Sequence, residues 1–192
     1  MMSKWLSAVV CSMLVATPAG MALAQVPAGS KADHEAAIKQ ADADYKAASA
    51  RCDGMKDNAK DVCKLEARRD RDVARADADA RHEGTEKAHA KAMKTKADRD
   101  YDVAKEMCDD RKGNEKDVCV KDAKAAHERA LGTAKIEKAA ATGSPEEVAQ
   151  ARRAAQKDNL DAAYEARKER CDAMSGDARS QCQADVAAKF GK

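Results

Sequence analysis

Residues 52–63 read CDGMKDNAKDVC, residues 108–119 read CDDRKGNEKDVC and residues 171–182 read CDAMSGDARSQC. In each copy the two cysteines are eleven positions apart, and a tyrosine stands seven positions before the first: Tyr45, Tyr101 and Tyr164. The flanking sequence is rich in Ala, Lys, Arg and Glu, which favour helix, and no segment alternates as a strand does. On one continuous helix the paired cysteines would lie roughly 16 Å apart. A disulfide needs Cα atoms within about 7 Å. If each pair is bonded, the chain must fold back between its members, as helix, short loop, helix. The repeat favours the local pairs Cys52–Cys63, Cys108–Cys119 and Cys171–Cys182 over the other connectivities.

The expected fold is therefore all-α. It consists of three disulfide-stapled αα-hairpins in tandem, elongated or loosely packed, with coiled-coil-like seams. Each loop places a cap residue six positions after its first cysteine: Asn58, Asn114 and Asp177. Asn and Asp are preferred helix N-caps, so these three are expected to start the second arms. Gly143-Ser144-Pro145-Glu146-Glu147 marks a break between hairpins. Here Ser144 is the N-cap, Pro145 the first helical residue and Glu147 the partner in a capping box. Gly84-Thr85 is a weaker break, and Gly132-Thr133 reads as a kink or an end. The hairpins are placed at 31–83, 85–142 and 144–190, after a linker at 25–30.

The first 24 residues read as a secretory signal peptide. Lys4 precedes the apolar stretch Trp5 to Val15, and Ala22-Leu23-Ala24 is a cleavage motif. The apolar stretch is shorter than the roughly 20 residues of a membrane span. Cys11 lies within it and lacks the small residue expected before a lipidated cysteine. The six remaining cysteines are an even set in an exported chain, which argues for disulfides and a periplasmic location.

After cleavage 34 acidic residues face 35 basic ones, since only Lys4 leaves with the signal. That balance supplies no general attraction to nucleic acid. Large apolar side chains are few: the leucines after residue 24 are Leu65, Leu131 and Leu160, and the isoleucines are Ile38 and Ile136. A narrow seam follows helical spacing through Ile38, Ala41, Tyr45, Ala48 and Cys52, and again through Ala97, Tyr101, Ala104 and Cys108. The three tyrosines read as seam residues two turns from each staple. Acid-first pairs four apart, Glu35/Lys39, Asp42/Lys46, Glu83/Lys87 and Asp117/Lys121, are expected to support the helices.

The sequence offers no metal, cofactor or catalytic motif. Zinc sites place two to four residues between paired cysteines. His-Glu occurs at 34–35, 82–83 and 127–128, but the H-E-x-x-H spacing of a metalloprotease is missing at all three. The histidines, and the basic cluster Lys64, Arg68, Arg69, Arg71 and Arg75, read as solvated helix faces.

The Y-x6-C-D-x9-C cassette, the stretch Gly113 to Cys119 and the Ala/Lys/Asp-rich spacers resemble a group of small exported proteins of Gram-negative bacteria, often described as cell-envelope or TolA-like. That resemblance implies a periplasmic location and no established catalytic residues. The expected role is a non-enzymatic structural or interaction element, with an envelope protein or a second copy as partner. The alternative is a periplasmic stress chaperone of the Spy/CpxP type, although the L-T-x-x-Q motif of that family is missing.

Overall fold

The computed structural model describes residues 29–192. The signal-peptide reading, including Cys11, and most of the 25–30 linker lie outside them. Six α-helices follow in order: α1 (Lys31–Cys52), α2 (Asp57–Glu83), α3 (Glu86–Met107), α4 (Gly113–Thr142), α5 (Pro145–Cys171) and α6 (Gly176–Phe190). A short 3₁₀ turn, Cys108–Asp110, joins α3 to α4. The helices pair into three hairpins. Each is closed by its own disulfide, Cys52–Cys63, Cys108–Cys119 or Cys171–Cys182, with Cα separations of 5.7, 5.6 and 5.6 Å. All three staples lie at the same end, because the chain reverses once between successive hairpins.

Two different devices start the helices. At the unstapled end polar side chains cap them: Ser30 accepts from the Asp33 N–H, Thr85 from the Ala88 N–H and Ser144 from the Glu147 N–H. Ser144 and Glu147 form the expected capping box, with Pro145 in the first turn. At the stapled end the expected caps are corrected. Asn58, Asn114 and Asp177 lie inside the first turn, after Lys56, Lys112 and Ser175, and no side chain caps these helices. A residue with positive φ turns the chain into each helix instead: Asp57 at 50°, Gly113 at 55° and Gly176 at 58°. Glycine meets that conformation without a Cβ penalty. Asp57 is the one copy that carries the penalty, so Asp57→Gly is expected to stabilise the first hairpin by about 0.5 kcal/mol, net of the added freedom of the unfolded chain. A thermal unfolding curve checks the sign.

Packing follows chain order: each helix lies against the one before it and the one after it. Among the described residues, apart from Val103 and the first cysteine of each staple, every buried apolar side chain is alanine. Methyl-sized contacts let the helices approach closely. The packing is therefore compact rather than loose, although few large side chains take part. The approach of α4 to α5 is close at Gly132, which is buried in an unbroken α4; a Cβ there would stand 2.9 Å from the Ala155 Cβ on α5. The glycine is a packing residue, not a break.

No residue of α6 is buried. The helix is held by its staple, by Phe190 against Tyr164 and by Lys192, whose Nζ donates to Asp161 Oδ1 at 2.6 Å. Hydrogen bonds from Lys157 and Lys192 lower the Asp161 carboxyl from 3.8 to about 2. A depressed carboxyl contributes its stability above the unfolded value and loses it as pH falls through the folded one. Hydrogen exchange in the last turn of α6 should therefore quicken as pH falls from about 4 to about 2, relative to the intrinsic rate.

Candidate interaction face at the stapled end

The three loops repeat one construction that spacing alone did not reveal. The aspartate after each first cysteine pairs with the basic residue seven positions further on: Asp53 with Lys60 at 3.9 Å, Asp109 with Lys116 at 3.0 Å and Asp172 with Arg179 at 2.8 Å. Lys64 joins the first at 3.4 Å and Gln183 the third at 3.0 Å. Asp53 and Asp172 stand at helix C-termini, where the dipole disfavours a negative charge. The cation from the second arm offsets that charge and ties the arms together beside the disulfide.

The residues read as caps join neighbouring hairpins. Asn58 Nδ2 donates to the Glu106 carbonyl at 3.1 Å, and Asn114 Nδ2 donates to the Glu169 carbonyl at 2.8 Å. Both acceptors are in the last turn of a helix, and the Asn donor adds to a local backbone bond, as at the Glu169 carbonyl, which also accepts from the Asp172 N–H at 3.1 Å. Loop 1 is thus bonded to the end of hairpin 2's first arm, and loop 2 to that of hairpin 3. Asp177, at the corresponding place in loop 3, is exposed. Replacing Asn114 by Asp removes the donor and sets a carboxylate against a carbonyl. The expected loss is about 1 kcal/mol, read as faster amide exchange at the end of α5.

Because the staples lie at one end, the exposed apolar side chains of the three loops stand at that end. Met55, Met107 and Met174 are 44, 53 and 47 % exposed and lie within or beside loops 1, 2 and 3. Among the described residues the other large exposed apolar residue is Leu160.

Two turns from the staples, each tyrosine meets the residue eight positions after the second cysteine of its own hairpin. Arg71 lies over the Tyr45 ring at 4.4 Å, His127 stacks on Tyr101 at 4.8 Å and Phe190 meets the edge of Tyr164 at 5.9 Å. The tyrosines are thus seam residues, with partners that sequence reasoning did not assign.

The reading of the histidines as solvated is corrected. His127 Nε2 is 2.8 Å from Asp98 Oδ1, and His34 Nε2 is 2.7 Å from Asp79 Oδ1, with His34 stacked on His82. Burial alone would raise the Asp98 carboxyl, but hydrogen bonds from Lys94 and His127 outweigh it and hold the group below its ordinary value. In the basic cluster Lys64, Arg68 and Arg75 are exposed, as read; Lys64, Arg68, Arg69 and Arg75 also pair with carboxylates, and Arg71 with both Asp72 and Tyr45. Nor do the four expected acid-first pairs form among the described residues. Asp42 reaches across to Arg75 and Lys121 across to Glu165, while Glu83 and Lys87 straddle the break at Gly84.

No family model, curated protein or solved structure matches this chain. Among the described residues no group of His, Cys, Asp and Glu is arranged to hold a metal ion, and no helix is long and apolar enough to cross a membrane.

Proposed function

We propose that this chain is a non-enzymatic structural or protein-interaction element of the bacterial cell envelope, working in the periplasm. The observation that carries the reading is the row of three stapled loops, bonded side by side through Asn58 and Asn114, each bearing an exposed methionine. Three local disulfides suit an oxidising compartment outside the cytoplasm. Methionine is polarisable and flexible, and is used where a surface must fit a partner's apolar side chains. The resemblance to exported envelope proteins supports the same location.

The test is affinity capture from envelope extracts with the oxidised protein and with a Met55→Gln, Met107→Gln, Met174→Gln variant. The expected result is a discrete partner captured by the first and lost with the second. Capture that is identical for both would remove the methionine face from the reading.

The same methionines favour a second reading, a periplasmic holdase of the Spy/CpxP type. A holdase would delay aggregation of a reduced, unfolding client protein at near-stoichiometric ratio, and the glutamine variant would not. A single stable partner without any effect on client aggregation would decide for the structural role.

A further inference from the structure

The opposite end of the molecule carries a groove of different character. Between α3 and α4 lies a cavity of about 550 Å³ whose floor is Ala88, Ala90, Leu131 and Ala134. Its rim holds Lys87, Lys91 and Lys94 from α3 and Lys135 and Lys138 from α4, against a single glutamate, Glu83. The concentration of positive charge is local, because the whole chain is nearly balanced. Lys94 and Lys135 are paired with Asp98 and Asp158, which lie outside the groove. Lys87, Lys91 and Lys138 form no ion pair among the described residues. The cleft between α2 and α3 mixes the two signs, with Arg69 and Lys96 beside Asp70, Asp77 and Asp100.

From this apolar floor between unpaired lysines, we infer that the α3–α4 groove binds a single-chain anionic amphiphile: an aliphatic chain along the alanines and Leu131, with a phosphate head group held by Lys87, Lys91 and Lys138. The size fits a small ligand. Lys87 to Lys94 spans only about 10 Å along the helix, a short run beside the roughly 20–30 residues a side of a standard protein interface. The lysines supply charge without fixed geometry, which suits a phosphate recognised as a compact anion. This site stands at the end away from the methionine face and does not depend on the envelope reading.

The test is calorimetric titration of the oxidised full chain with decyl phosphate below its micellar concentration, alongside inorganic phosphate and the uncharged decyl maltoside. Saturable one-to-one binding of decyl phosphate is expected, with each control at least about tenfold weaker. Lys87→Ala, Lys91→Ala, Lys138→Ala together should weaken binding about tenfold, while the same three positions as Arg retain it. The three side chains are exposed, and an unchanged helical circular dichroism melt confirms folding of both variants. Any of four results overturns the inference: no binding of decyl phosphate, equal binding of either control, undiminished binding by the alanine variant, or binding of an acidic helical peptide or of anionic vesicles in place of the monomeric amphiphile.

Discussion

With all six cysteines of the hairpins replaced by serine, the protein is expected to lose its cooperative thermal transition at about 25 °C and above. Each staple closes a loop of about 12 residues, worth roughly 3 kcal/mol in the chain-entropy treatment. The three together approach the whole stability of an ordinary domain, about 5–15 kcal/mol. Buried alanine returns less transfer free energy than leucine or phenylalanine, so little remains to compensate. The losses are not equal in kind. Replacing Cys171 and Cys182 alone should release α6, which buries no residue, while the other helices stay folded. Replacing Cys108 and Cys119 alone should leave α3 and α4 in place, because each retains a packed neighbour on its other side. Amide exchange on each single-staple variant measures this ordering; uniform loss of protection after removal of the third staple would contradict it.

Gly132→Leu is the most damaging single substitution expected outside the staples. Even a methyl group would stand 2.9 Å from the Ala155 Cβ, and Ala155 sits on helix backbone that cannot move aside alone. The branched side chain has to push α4 from α5, at about 3 kcal/mol, the upper end of the usual cost of overpacking. Removing a glycine from a helix interior returns only about 1 kcal/mol. The net effect is a lower unfolding temperature and separation of hairpins 2 and 3. If the variant melts at or above the parent temperature, close approach at this point is not what the glycine provides.

The hairpin architecture was legible in the sequence because a disulfide imposes a distance. Eleven positions of helix cannot satisfy that distance, so a reversal had to lie between each pair. Ser144 and Glu147 were legible for a similar reason: a capping box is local and its members touch within one turn. Asn58 and Asn114 were misread because the same amide group serves as an N-cap and as a donor to another helix's last turn. Their acceptors lie 48 and 55 positions away, and composition gives no hint of them. The acid-first pairs failed for a related reason. In a row of antiparallel helices a charge can reach the adjacent helix as easily as its own next turn, as Asp42 does with Arg75. The Asp53, Asp109 and Asp172 bridges, by contrast, were visible in principle. Aligning the three cassettes shows an acid after each first cysteine and a base seven positions later.

The joint between loops also fixes which way the row of hairpins can be read. At Asn58 and Asn114 an amide N–H donates to the incoming helix end; at Asp177 the same place offers only oxygen. A hairpin laid against α6 in the manner of its predecessors would bring carbonyls, at the negative pole of a helix, onto a carboxylate. The array thus has a grammar with punctuation: two connectives and one full stop, distinguished by the replacement of a side-chain nitrogen with oxygen.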